Sequence, residues 1–401
     1  MVPATTYLDH AATSPVLPCV VEAVTHQLGQ VGNASSLHAT GRAARRVVEE
    51  SREQIADALG ARPSEVIFTS GGTESDNLAV KGSFWARRAE DRRRDRLIIG
   101  AIEHHAVLDC VEYLVRHEGA QVSWITVDEQ GRADPQQVRD LIEEDPESVA
   151  LVSLMWANNE VGTVEPVHEV AQVAHEHGIP FHTDAVQAIG QLPVDFAASG
   201  ADLLSLTGHK FGAPLGVGAL LTRRDATLVP LTHGGGQERQ LRSGTLVVPA
   251  IRGLAVATTY ATEHLESEQD HLVVLRDKMI QGAIDQGFDI RVNGPHQVGD
   301  VTHRLAGNVH LRVPGCDGDS LLYLLDAAGV ECSTGSACQA GVPQPSHVLL
   351  AMGVPEEDAR GALRLTLGHT STDADVTAFL AALPAAVERA QRAHDTTRGG
   401  S

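Results

Sequence analysis

Between residues 42 and 222 the chain alternates segments of helical and of strand periodicity, and its apolar strand-like runs lead directly into polar or small residues. That alternation restricts the fold to the α/β class, with a mainly parallel sheet covered by helices. Ala44, Val48, Ile55 and Leu59 recur at helical spacing ahead of Gly60, and Pro166 and Gly178 bracket a helix carrying Val167, Val170, Ala171 and Ala174. Strands are expected at 66–69, 97–99, 149–156, 180–183 and 203–206, runs of the kind buried on both faces. After them come Gly71-Gly72-Thr73, His104-His105, Asn158-Asn159, Asp184 with Gln187, and His209-Lys210. In an open parallel sheet the carboxyl ends of the strands share one edge, and ligands bind in the crevice outside it. These five sets are therefore expected to converge. Beyond about residue 258 the pattern changes to long helices and then a mixed segment over 301–367. We expect a large domain over 15–260, a smaller α+β domain built from 1–14 and 261–393, and a disordered tail at 394–401.

Charge and cysteine usage exclude several function classes. Lys+Arg 31 against Asp+Glu 52 leaves a formal net charge of -21, which opposes general binding to nucleic-acid backbones or anionic lipid. Apolar runs fall short of the roughly 18 residues of a membrane span. No Lys or Arg precedes Arg42, so the basic region of a signal peptide is missing and the cytoplasm is the expected address. Cys19, Cys110, Cys316, Cys332 and Cys338 show neither a disulfide framework nor a paired metal motif. The dinucleotide fingerprint G-x-G-x-x-G and the phosphate-loop pattern G-x-x-x-x-G-K-[ST] are also missing.

Lysine is scarce: only Lys81, Lys210 and Lys278 occur. Lys81 and Lys278 sit in ordinary amphipathic helical segments, where a solvated charge is expected. Lys210 instead follows a buried strand within Thr207-Gly208-His209-Lys210, where small neighbours admit a bulky ligand and the amine can form an imine. Asp184 lies at the end of the strand before it. Alone it reads as a cap for a helix starting at Ala185, but paired with Lys210 it suits pyridoxal phosphate. That coenzyme needs an amine for its aldehyde and a carboxylate to keep its pyridine nitrogen protonated. Gly71-Gly72-Thr73, between strand and helix, offers free amides and a hydroxyl to a phosphate. Adjacent side chains point apart, so His104 and His105 do not make a metal site, and no metal is expected. His104 reads as a ring-stacking and acid/base group, His105 as structural. Cys338 lies in a stretch of small residues, Cys332-Ser333-Thr334-Gly335-Ser336-Ala337-Cys338, followed by Pro343 and Pro345, an accessible setting for a nucleophilic thiolate. Cys19, Cys110 and Cys316 read as small apolar residues, and Cys332 as less free than Cys338.

In order along the chain stand Tyr7-Leu8-Asp9-His10-Ala11-Ala12-Thr13, Asn33-Ala34-Ser35-Ser36-Leu37-His38, Thr69-Ser70-Gly71-Gly72-Thr73-Glu74-Ser75, Glu103-His104, Asn158-Asn159-Glu160, His182-Thr183-Asp184-Ala185-Val186-Gln187, Gly208-His209-Lys210 and Arg242-Ser243-Gly244-Thr245. With these motifs, from about Tyr7 to Gly368, the chain resembles the cysteine desulfurases of the class V aminotransferase superfamily, in particular the NifS/IscS-like branch with the longer catalytic-cysteine loop. The resemblance implies a pyridoxal-phosphate-dependent homodimer of fold-type I. It implies that Lys210 carries the Schiff base, Asp184 the pyridinium, Gln187 the phenolic oxygen and His104 the ring face. Phosphate contacts would come from Gly72, Thr73, Thr207 and His209, with Thr245 supplied across the dimer, and Asn159 and Arg364 would bind the substrate carboxylate. The implied reaction takes sulfur from L-cysteine as a persulfide on Cys338, releases L-alanine, and passes the sulfur to an acceptor such as an iron–sulfur scaffold or a tRNA-thiolation protein. His10, Thr207 and Ala213-Pro214-Leu215-Gly216 stand where many relatives have Asn, Ser and a lysine-bearing Gly-Pro-Lys-Gly loop. Another class V activity, an aminotransferase or a selenocysteine lyase, would keep Lys210 and Asp184 without needing Cys338. A non-catalytic scaffold retaining the fold is the reading from another class.

Overall fold

The structure is a computed structural model that describes residues 5–335 and 345–398. Seven strands form the main sheet, in the order Val66–Thr69, Gly218–Thr222, Leu203–Thr207, Phe181–Asp184, Val149–Ser153, Arg96–Gly100 and Gln121–Ile125. Gly218–Thr222 runs antiparallel to the other six strands of this sheet. Alternate residues enter opposite cores, as the two-residue period of a strand requires. Phe68, Ile98, Leu204 and Leu221 pack on one side with Val48, Ile55, Val170 and Ile251. Ile67, Leu97, Leu203 and Leu220 pack on the other with Leu78, Phe84, Val107 and Leu114. Both faces are thus covered by helices, which explains why the strands read as unbroken apolar runs.

The expected strand at 149–156 ends at Ser153, although the Leu154 and Trp156 amides still donate to the His182 and Asp184 carbonyls at 3.1 and 2.8 Å. The charge-dense stretch from Arg87 to Arg96 spans the end of the helix Gly72–Glu90 and the start of the next strand. Arg96 opens a strand, is buried, and donates to Ser148 Oγ and the Asp145 carbonyl.

A second core gathers Leu275, Met279, Val309, Leu321, Leu363, Leu365, Phe379 and Leu383 around a three-stranded antiparallel sheet, in the order Ala362–Thr366, Asn308–Arg312, Arg291–Val292. Leu8 joins this core, and Thr6–Tyr7 pairs in parallel with Val330–Glu331. The N-terminal segment therefore runs from the second core to the edge of the main sheet. The tail expected to be disordered from residue 394 is instead helical to Arg398, because Asp373–Arg398 continues as one helix despite Pro384. Residues 399–401 lie outside the described residues. Among the described residues no helix is long and apolar enough to cross a membrane.

Candidate active site

Asp184 ends its strand and is followed by tight turns, not by the helix it was expected to cap. Its Oδ1 accepts from the Val186 amide at 2.8 Å, which fixes the carboxylate at the carboxyl edge of the sheet. On the next strand, Thr207 leads into a single 3₁₀ turn, Gly208–Lys210. On the far side, Gly72 starts the helix Gly72–Glu90, whose first amides have no partner within the helix. The antiparallel strand presses close here. A Cβ at Gly218 would come within 2.8 Å of Gly71 Cα, so glycine at 218 lets the Gly71-Gly72 loop lie against the sheet.

These elements enclose a cavity of about 400 Å³, a size that suits a small organic ligand. Gly72, Thr73, Asp184, Gln187, Thr207, His209 and Lys210 line it together with His104, Asn159 and Arg364, among others. Thr245 does not line it and is exposed. Cys338 lies outside the described residues; the last described residue before it, Gly335, borders the cavity together with Ser333.

Lys210 Nζ donates to the carbonyls of Ala11 at 2.6 Å and Ala12 at 2.9 Å. Burial pushes its amine down to about 8, aided by Arg364 and opposed by Asp9 and Asp184. Burial lifts the Asp184 carboxyl to about 6, against the Val186 amide and Lys210. His104 caps the helix His105–Glu118 by accepting from the Ala106 amide through Nδ1 at 3.1 Å. Its proton is thereby assigned to Nε2. Burial, Lys210 and the neighbouring His105 and His347 hold this ring at about 4, hence neutral. His105 turns away, its ring at 75° to that of His104, and pairs with Asp109. His209 is likewise pushed to about 4 by burial and Lys210. The other two lysines are engaged elsewhere, Lys81 with Asn77 and the Tyr113 ring and Lys278 with Asp373.

Arg364 donates to the Asn159 carbonyl at 3.1 Å and to Asp9 Oδ1 at 2.8 Å. Asn158 is fully buried and holds this turn, accepting from the Glu160 and Val161 amides and donating to the Ile102 carbonyl. Burial pushes the Cys110 and Cys332 thiols to about 12 and Cys316 to about 11, so these three remain protonated packing residues. Cys19 is exposed, contrary to the expectation that it packs as an apolar residue.

Sequence reasoning missed two acids of this site. Asp76 lines the cavity, and the signal for it is its position four residues after Gly72, on the same helix face. Asp9 orients Arg364 although the two are far apart in sequence; only its place in the Tyr7-to-Thr13 motif pointed to it.

A profile described as aminotransferase class-V matches residues 6–379. The chain belongs to this family. Among class-V relatives, an IscS-like cysteine desulfurase from Mycobacterium tuberculosis is 56% identical over 98% of this chain and 99% of its own length. A solved NifS-like protein superposes with a TM-score of 0.86 at 34% identity, covering 96% of this chain and 98% of that one. A solved structure described as SspA in complex with cysteine has a TM-score of 0.78 at 36% identity, covering 92% of this chain and all of that one. The class-V assignment agrees with the mainly parallel sheet and with an amine and a carboxylate at its carboxyl edge.

Proposed function

We propose that this class-V protein is a pyridoxal-phosphate-dependent cysteine desulfurase that moves the sulfur of L-cysteine to Cys338 and releases L-alanine. The observation that carries the reading is the convergence of Lys210 and Asp184 on one cavity with the free amides of Gly72 and Thr73. The donor set fits the coenzyme. Lys210 would hold its aldehyde, Asp184 its ring nitrogen, Gln187 its phenolic oxygen, and Gly72, Thr73, Thr207 and His209 its phosphate, at a helix N-terminus where anions are favoured. Held by these residues, pyridoxal phosphate would supply an electron sink for the substrate Cα, which would weaken the bond to sulfur.

The chain's own groups do the rest. Lys210, whose amine burial brings down to about 8, would take the proton from the substrate Cα at Nζ once the substrate amine has replaced it. His104 presents its neutral ring over the site with the proton on Nε2. Arg364, oriented by Asp9, and Asn159 take the substrate carboxylate; a guanidinium fork matches a carboxylate geometrically. Cys338 supplies the thiolate that attacks the substrate sulfur; the new S–S bond forms as the Cβ–S bond breaks, and the carbon fragment keeps that electron pair and leaves, once protonated, as L-alanine. The same reading includes a homodimer to which Thr245 contributes across the interface, a cytoplasmic address, two domains at 15–260 and at 1–14 with 261–393, and transfer of sulfur to a partner protein. The relatives' names support the activity, and the cysteine-bound neighbour supports the substrate.

The test compares wild type with Cys338→Ala after loading with pyridoxal phosphate. Borohydride should fix the coenzyme on Lys210 in both, whereas persulfide and alanine formation from L-cysteine should be lost in the variant. Desulfuration surviving in Cys338→Ala would overturn the nucleophile assignment, and attachment at another residue would overturn the site.

A further inference from the structure

Beneath the cavity lies a row of ionisable groups that the proposed chemistry does not use. Asp76, Glu103 and His182 are fully buried. His182 Nδ1 meets Ser153 Oγ at 2.9 Å and its Nε2 meets Ser205 Oγ at 3.0 Å. The Ser153 hydroxyl donates to Glu103 Oε1 at 3.4 Å, and Asp76 Oδ1 stands 3.6 Å from His182 Nε2. The row thus runs from the cavity wall at Asp76 to Glu103, the residue before His104.

Hydrogen counting limits what this row can carry. Burial pushes His182 to about 3, so its ring is neutral, with one donor and one acceptor. Nδ1–H donates to Ser153 and Ser153 donates to Glu103, while the one Ser205 hydroxyl proton serves either Nε2 or Asp76. Among the described residues, Asp76 Oδ1 and Glu103 Oε2 have no hydrogen-bond partner. The charges facing them are negative: Asp184 and Glu103 act on Asp76, and Asp184 and Glu165 on Glu103. Against these stand only uncharged donors, Ser205 at Asp76 and Ser153 with the Met155 backbone at Glu103. Lys210 acts on Asp184. A dry carboxylate with an orphan oxygen and no cation is far less favourable than the neutral acid. Burial and the Asp184 charge accordingly raise both groups well above the usual carboxylate range.

We infer that Asp76 and Glu103 are kept as neutral carboxylic acids, so that the negative charge of this buried layer stays on Asp184, beside the coenzyme's ring nitrogen. The protonation states follow from the apoprotein alone; the role of Asp184 rests on the coenzyme reading. Asp76 and Glu103 act through Asp184 and are positioning residues.

Infrared spectroscopy of the full-length protein at pH 7, with and without pyridoxal phosphate, tests this directly. Asp76→Asn and Glu103→Gln, amide mimics of a neutral acid, should each remove one component of the deuterium-sensitive protonated-carboxyl C=O band. Glu165, also lifted to about 8 by burial, should remain in both. The coenzyme dissociation constant of Glu103→Gln, whose side chain does not line the cavity, should stay within about threefold of wild type, since no charge is removed. An unchanged band in either folded variant would overturn the inference, as would a loss of coenzyme affinity of more than about threefold in folded Glu103→Gln. If wild type bound no coenzyme at all, the functional reading would fail while the infrared result still decided the protonation states.

Discussion

Arg364 Nη2 lies 2.8 Å from Asp9 Oδ1, so a guanidinium from the strand Ala362–Thr366 meets a carboxylate from the N-terminal segment at the cavity wall. The Arg364 side chain is 7% exposed and that of Asp9 22%, shielding the pair from most solvent screening. With Nη1 tied to the Asn159 carbonyl, the fork has one orientation before substrate arrives, and that is the physical basis of preorganised binding.

Replacing Asp9 with Asn keeps the side-chain shape but removes the charge that orients Arg364. A hydrogen bond to a charged group contributes about 1.5–3 kcal/mol. Steady-state kinetics of Asp9→Asn should therefore show a KM for L-cysteine raised by about tenfold or more, with kcat affected less. An unchanged KM would remove Asp9 from the substrate site.

Burial places the Lys210 amine at about 8 against an ordinary 10.5. The protonated form dominates below that value and the free amine above it, so coenzyme uptake by the apoprotein should accelerate as pH rises through about 8 and then level off. Stopped-flow absorbance would measure this, and Lys210→Ala should show no borohydride-stable attachment. The sign for stability is the same. Between about 8 and 10.5 the unfolded lysine holds a proton that the folded one has released, so this group's contribution to stability increases with pH across that window.

Arg52 grips Glu238 through both Nη atoms, at 2.9 and 2.7 Å, while Glu238 Oε2 also accepts from the Phe68 amide at 2.8 Å. This clamp holds Glu238, Arg239 and Gln240 in the left-handed region, at φ 47, 58 and 64°, where L-residues are disfavoured by about 1–2 kcal/mol each. Arg52→Ala leaves a buried carboxylate unpaired and should lower stability by about 3–5 kcal/mol in denaturant unfolding. Gln240→Gly relieves one left-handed residue at an exposed position. It should raise stability by about 0.5–1 kcal/mol after the extra entropy of glycine in the unfolded chain.

Gly162 closes the turn that carries Asn159, with φ at +78° and Asn308 Cγ only 2.6 Å from where a Cβ would stand. Asn308 donates to the Glu160 carbonyl at 2.8 Å, so displacing it disturbs the same turn. Gly162→Ala should destabilise the chain by about 2 kcal/mol or more and raise the KM for L-cysteine. Denaturant unfolding and steady-state kinetics would check both.

The strands at 66–69 and 203–206 were legible because burial on both sheet faces writes itself as an apolar run, and the residues after them were legible because the sheet edge is where such a fold binds ligands. The antiparallel strand Gly218–Thr222 carries no comparable signal. Its apolar run looks like its parallel neighbours, and direction is set by pairing partners far away in the chain. Asp184 showed the limit of local rules. Its side chain does serve a backbone amide two residues on, as a cap would, but the chain then turns to bring Gln187 within 3.0 Å of the Ala11 carbonyl instead of starting a helix.

The amino-acid order alone determined the α/β alternation, the single lysine placed for covalent chemistry, and the family motifs, because these depend on short-range periodicity and residue type. Tertiary structure decided which acids share a layer. Asp9 reaches Arg364, and Asp76 faces Asp184 and Glu103, only when remote segments are packed against one another. Their protonation then follows from burial and mutual repulsion, which exist only when folding has removed the water between them.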